Sequence, residues 1–209
     1  MTNAAPQNSR MEAQRDRLLD AAAEVFLEHG FGIATVDVIA AHAKASKKTL
    51  YSYFGSKNEI FVAAVEHLCR RTLLPLHDLE VNERDPKSLL LIFGTRLLAQ
   101  LLSPEAIAIH RMAISEATRF PELSRLFYRT GPATVQGILS RRLAALRDTG
   151  RLQFANPDEI ASLFIQMVLG EAQRKVAMAV SDPPSPEEAR IHASMAADLL
   201  LRGLGATNE

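Results

Sequence analysis

Four lysines crowd one short stretch of this chain: Lys44, Lys47, Lys48 and Lys57. No Asp or Glu lies between Val38 and Asn58 to balance them. Thr49, Tyr51, Ser52 and Tyr53 stand among the lysines, and all four can hydrogen-bond to phosphate oxygens or base edges. Cations interleaved with hydroxyls fit a polyanionic partner; the alternative is a solvated lysine face with the tyrosines half in a core. No comparable constellation for catalysis exists. His29, His42, His67, His77, His110 and His192 are scattered, with no Ser/His/Asp, Cys/His or paired-carboxylate arrangement around them. Nothing has metal-ligand spacing, so neither metal nor cofactor is expected. Cys69 is the lone cysteine, which forbids an internal disulfide and fits the reducing cytoplasm.

The lysines and hydroxyls need a scaffold, and local signals supply one. Thr35 is a good N-cap for a short helix, and Asp37 falls in its first turn, where the helix dipole favours negative charge. Val36, Ile39, Ala40 and Ala43 give that helix an apolar face. Ser46 caps a second helix over residues 47 to 54, with Leu50 and Phe54 turned inward. Ser56-Lys57-Asn58-Glu59 fits a capping box that opens a third. Two short helices joined by a tight turn match the helix-turn-helix that enters a DNA major groove. Lys47 and Lys48 occupy the positive end of the second helix's dipole, where each cation costs up to ~1 kcal/mol. A phosphate at that helix N-terminus would relieve the repulsion.

The remainder reads as helices throughout. Residues 1 to 10 are polar, lack the apolar stretch of a signal peptide, and are expected to form a disordered arm whose Arg10 can approach a phosphate. A long helix over 11 to 29 ends at His29-Gly30, and another runs from 57 to 74, stopped or kinked by Pro75. Further helices are expected over 86–102, 104–118, 121–129, 132–149, 156–180 and 187–202. The first of these is nearly all apolar. It is too short, and too interrupted by Gly94, Thr95, Arg96 and Gln100, to span a bilayer, so it reads as a central core helix and no membrane partner is expected. No strand pattern survives. The expected fold is all-α, about nine or ten helices, with an N-terminal three-helix helix-turn-helix domain and a larger C-terminal helical domain. The net charge is zero, so any field that attracts a polyanion must be local.

Two surfaces in the larger domain are candidates for binding. Phe93, Leu97, Met112, Phe127 and Phe164 lie on helices that should converge on an apolar pocket, with Met167 beside them. Arg96, Arg111 and Glu116 are charges on helices that look mostly buried; they either pair with one another or orient a polar group of a ligand. Leu163, Met167, Gly170 and Arg174 line one of the last two long helices. Ala189, Ala193, Ala196, Ala197 and Leu200 line the other. Such small-residue faces fit close packing inside one protomer, and they equally fit a four-helix bundle between two protomers.

The run from Thr35 through Ile39-Ala40, Ala43-Lys44-Ala45-Ser46-Lys47-Lys48-Thr49-Leu50-Tyr51-Ser52-Tyr53-Phe54-Gly55-Ser56-Lys57 to Ile60-Phe61 resembles the DNA-binding domain of the tetracycline-repressor (TetR) family of bacterial regulators. The likeness is ungapped, takes in His29-Gly30-Phe31, and covers roughly residues 11 to 65. It implies a DNA surface made of Thr35, Lys44, Ala45, Ser46, Lys47, Lys48, Thr49, Tyr51, Ser52, Tyr53 and Lys57. Two positions depart from the family pattern, which often has Gly where Lys44 and Lys48 stand. Lys44 must therefore hold a turn that Gly takes more easily, and Lys48 adds a long cation at the reading surface. The C-terminal body, including residues 111 to 123 and 199 to 203, is more weakly similar to one branch of the family's effector domains. The implied organisation is an arm over 1–10, a helix-turn-helix domain over 11–56, a connecting helix over 57–75 and an effector-binding and dimerisation domain over 76–209. The resemblance favours the dimer over packing within one protomer. The function it implies is that of a homodimeric repressor, bound to a palindromic double-stranded operator and released by a small apolar or aromatic effector. The competing readings are an activator, or a small-molecule carrier or enzyme that keeps a vestigial helix-turn-helix.

Overall fold

The computed structural model describes residues 5–79 and 85–204. Among these are ten α-helices and no strand: α1 (Ala5–Ile33), α2 (Val36–His42), α3 (Lys47–Phe54), α4 (Lys57–His77), α5 (Pro86–Leu101), α6 (Pro104–Ser115), α7 (Pro121–Thr130), α8 (Pro132–Asp148), α9 (Pro157–Ala177) and α10 (Pro186–Gly203). The chain forms two compact units: Met1–Arg71 with Arg111–Thr130, and Thr72–His110 with Gly131–Glu209. The boundaries fall inside α4 and α6 as well as between α7 and α8. Of the arm expected over residues 1–10, residues 1–4 lie outside the described residues. From Ala5 the backbone is already helical, with Pro6 in the first turn where its fixed φ suits a helix start.

In the first unit the expected stripe of α1 is buried: Leu18, Leu19, Ala22, Val25 and Phe26. So is that of α4: Ile60, Phe61, Ala64, Val65 and Leu68. Gly30 ends the long run of α1 at φ 74, a conformation that costs glycine little. Phe31, just beyond, is an aromatic hub. Its ring centroid lies 6.0 Å from Phe26, 4.8 Å from Phe61 and 4.9 Å from Phe120. Phe120 comes from the connection between α6 and α7, which explains why Arg111–Thr130, expected with the C-terminal domain, packs in the first unit. Charged side chains stand close over the glycines on either side of the hub. A Cβ at Gly30 would stand 2.9 Å from the Glu116 carboxylate, and one at Gly32 would stand 3.1 Å from the Arg119 guanidinium.

In the second unit α5 is the central element, with Leu89, Leu90, Phe93, Leu97 and Leu98 buried. Asp85 caps it through the Lys87 N–H at 3.0 Å. Gly94 lets α9 and α10 approach: a Cβ there would meet Ala193 Cβ at 3.0 Å and Phe164 Cζ at 3.2 Å. Pro75 does not stop α4. The helix runs on to His77, although Pro75 has no N–H to give the Arg71 carbonyl. Arg142 of α8 donates to the carbonyls of His77 (3.3 Å) and Leu79 (3.2 Å), filling acceptors that the end of a helix leaves open. The alanine face of α10 packs inward. Ala189, Ala193, Ala196 and Ala197 are at most 4% exposed and Leu200 is 8% exposed. These five residues, expected at a dimer surface, serve the core of one protomer instead. Small side chains are what the close approach of α5 demands.

Candidate nucleic-acid interface

The reading head is assembled by caps. Thr35 Oγ1 accepts the Val38 N–H at 3.3 Å and starts α2; Ser46 Oγ accepts the Thr49 N–H at 3.0 Å and starts α3. Ser56 Oγ accepts the Glu59 N–H at 3.2 Å and itself donates to the Glu59 carboxylate at 2.8 Å, starting α4. Between α2 and α3 the chain closes a Schellman turn. The Ala45 N–H reaches the Ala40 carbonyl at 2.9 Å and the Lys44 N–H reaches the Ala41 carbonyl at 3.2 Å. Lys44 sits in the left-handed position of that turn, at φ 49, where glycine is usual. The strain expected from the residue type alone is therefore present.

Leu50 and Phe54 are buried beneath α3, as expected, while Lys47, Lys48, Tyr51 and Ser52 are exposed and Thr49 and Tyr53 half-buried. Lys44 is exposed and Ala45 half-buried at the turn. Three hydroxyls are already engaged locally: those of Ser46 and Thr49 bond each other at 2.8 Å, and Ser52 Oγ donates to the Thr49 carbonyl at 2.7 Å. The side chains of α3 left to reach outward are Lys48 and Tyr51.

The lysines prove unequal. Asp37 lies one residue outside the carboxylate-free run, and its Oδ1 is 2.5 Å from Lys47 Nζ. That hydrogen bond, with the attraction of the carboxylate, raises the Lys47 pKa above its ordinary value. Among the described residues no carboxylate pairs with Lys44 or Lys48. Lys57 is half-buried, with its ammonium 4.6 Å from the centroid of the Phe31 ring. Burial lowers its pKa, against the pull of Glu116 and reinforced by Arg119. Sequence patterns did not reveal these two commitments, since each depends on a contact between helices.

The other candidate residues divide between the units. Arg111, Met112, Glu116 and Phe127 belong to the first unit; Phe93, Arg96, Leu97, Phe164 and Met167 belong to the second. The charges are less buried than expected: Arg96 and Arg111 are exposed on α5 and α6, and Glu116, in the turn after α6, is intermediate. Phe93, Leu97 and Phe164 are fully buried in the core of the second unit. On α9, Leu163 (57%) and Met167 (36%) are exposed, Arg174 is exposed and ion-paired with Glu171, and Gly170 is intermediate. The outward face of α10 carries Ile191, Met195 and Leu199, each more than half exposed and spaced four residues apart. That stripe was legible in the sequence, but the alanines beside it masked it. It lines an open groove together with Arg190, Ser194, Asp198 and Arg202.

Comparison with known proteins finds two family matches along the chain. Residues 18–64 match the model for bacterial regulatory proteins of the tetR family, and residues 88–205 match that for the C-terminal domain of AefR-like transcriptional repressors. The transcriptional repressor SCO4008 of Streptomyces coelicolor is 42% identical over 55 residues, a stretch covering 26% of this chain and only 29% of that one. An uncharacterized helix-turn-helix regulator of Bacillus subtilis, YvkB, is 25% identical over 94% of this chain and 100% of its own length. The solved structure of a flavonoid-responsive regulator, FrrA, superposes with a TM-score of 0.76 at 28% identity, covering 92% of this chain and 97% of that one. With a caps-built helix-turn-helix in front and a family C-terminal domain over more than half its length, this chain belongs to the TetR family of transcriptional regulators.

Proposed function

We propose that this chain represses transcription as a homodimer on a palindromic DNA operator, and that a small aromatic or apolar effector releases it. The observation that carries the DNA-reading part is α3 itself, capped by Ser46, with Leu50 and Phe54 packed inward and the Lys48 and Tyr51 side chains outward. Lys48 and Tyr51 read base edges; Thr35, Lys44 and Tyr53 meet phosphates at the rim. Dimerisation uses the outward stripe of α10, Ile191, Met195 and Leu199, with Leu163 and Met167 of α9. A two-fold axis makes such a patch self-complementary, and the apolar side chains it exposes gain by being covered. The two recognition helices of a dimer then enter major grooves one turn apart, about 34–36 Å.

The likeness to a flavonoid-responsive regulator supports an aromatic effector. Its site is in the second unit, beside Phe93, Leu97 and Phe164. Regulation rather than catalysis is the role, in the cytoplasm, where DNA and reduced Cys69 are both found. The experiment is a footprint of the pure protein on the DNA upstream of its own gene. A protected palindrome bound by a dimer is the expected result. Absence of sequence-specific protection there and in a randomised-operator selection would leave only a binding protein with a vestigial reading head.

A further inference from the structure

α3 opens with two lysines, yet only one of them adds positive charge to the DNA-facing surface. Lys47 Nζ lies 2.5 Å from Asp37 Oδ1, across the turn from the first turn of α2. Both residues are exposed, at 52% and 67%, so the pair lies at the protein surface beside the N-terminus of α3. Glu24 reaches His42, at 2.6 Å, and Glu59 reaches Ser56, so neither of these carboxylates bonds a lysine of α3.

We propose that Asp37 weakens the attraction of the recognition helix for DNA phosphates by cancelling Lys47, which leaves Lys48 as the net cation of that helix. This rests on the reading of α3 as the DNA-facing helix. An exposed ion pair is weak, and a phosphate can compete for Lys47. The cancellation survives that competition. If Lys47 swings to a phosphate, the Asp37 carboxylate is left uncovered beside a polyanion, and the net charge brought to the DNA is unchanged. Random DNA binding depends on the number of phosphates neutralised, so one cation fewer lowers it directly.

The test uses the full-length protein and a random-sequence duplex of roughly 30 base pairs, titrated between roughly 50 and 300 mM KCl. Asp37→Asn should steepen the salt slope by about 0.9 and tighten binding at 100 mM by up to about eightfold. Asp37→Asn with Lys47→Gln should return both to the values of the unmodified protein. Asp37→Glu should leave them unchanged, since the carboxylate is kept. Thermal melts check that each variant is folded, and Asp37→Gln serves as a second neutral variant. Lys48→Ala should lower the slope by about 0.9 in every background. If Lys48→Ala lowers the slope but neutralising Asp37 moves neither slope nor affinity, the cancelling role is wrong and α3 remains the DNA-facing helix. If the unmodified protein binds the duplex with no salt dependence, the DNA-reading function falls, and this proposal with it.

Discussion

Lys44 occupies a left-handed turn position at φ 49, which costs a residue with a Cβ roughly 1–2 kcal/mol relative to glycine. Truncation and relief of strain can be separated there. Lys44→Gly and Lys44→Ala both remove the cation, but only the first removes the strain. We expect the glycine variant to exceed the alanine variant in stability by about 1 kcal/mol, read from urea midpoints at equal slope. Lys57 gives a second separation. Its ammonium lies over Phe31, so Lys57→Met, which keeps much of the packing, should leave the salt slope of DNA binding unchanged. A drop of about one unit would return Lys57 to the phosphate contacts that its sequence position suggests. His110 gives the stability a dependence on pH. It is half-buried, and desolvation lowers its pKa. The unfolded chain therefore takes up its proton first as pH falls. Stability from this residue is full above the ordinary histidine pKa of about 6.5 and is lost progressively below it. His110→Gln should flatten the decline in melting temperature between roughly pH 6.5 and 5.

Three helices end in the same Schellman geometry, but only one of them ends with glycine. After α8 it is Gly150, at φ 74; after α2 and α9 it is Lys44 and Ala179, at φ 49 and φ 54. Behind Ala179 the Val180 N–H reaches the Lys175 carbonyl at 2.9 Å, so the turn is complete despite the strain. Ala179→Gly should raise stability by about 1 kcal/mol, measured by thermal unfolding. Gly94 argues for the opposite substitution rule. A Cβ there already crowds Ala193 and Phe164, and Gly94→Val should cost about 1–3 kcal/mol through overpacking. Helix starts were readable because caps are local. Thr35 and Ser46 accept from the backbone at the ends where they were expected to. What was not readable came from the partner helix. The alanine face of α10 has the same appearance whether it packs on α5 or on a second protomer, and only the position of Gly94 opposite Ala193 decides between them. The membership of Arg111–Thr130 in the first unit likewise follows from contacts across a long sequence separation, Phe31 with Phe120 and Thr130 with Cys69 among them.

For the whole molecule, the outward apolar stripe and the ligand response are the quantities left to measure. Placing a charge in the stripe, Met195→Glu, should shift the protein from dimer to monomer in light scattering and weaken operator binding by at least tenfold, since each half-site is then held alone. An unchanged dimer would mean that the two-fold axis lies elsewhere. Coupling between effector and operator needs no assumed path between the units, because linkage is a statement about equilibrium. Whatever factor a ligand takes from operator affinity, the operator must take from ligand affinity, typically about 5–150-fold. A ligand at 100 times its Kd should also stabilise the free protein by about 2.7 kcal/mol. A panel of flavonoids and simpler aromatics, screened by melting temperature, therefore finds candidates before any operator is known. Those that stabilise the protein are then titrated against operator DNA, and the DNA in turn is titrated against ligand binding. Equal factors in the two directions establish coupling. Phe93→Ala should weaken the stabilising ligand if that ring lines its site, at a cost of about 3–5 kcal/mol in stability. If every stabilising compound leaves operator affinity unchanged, the second unit holds the dimer together and does not sense.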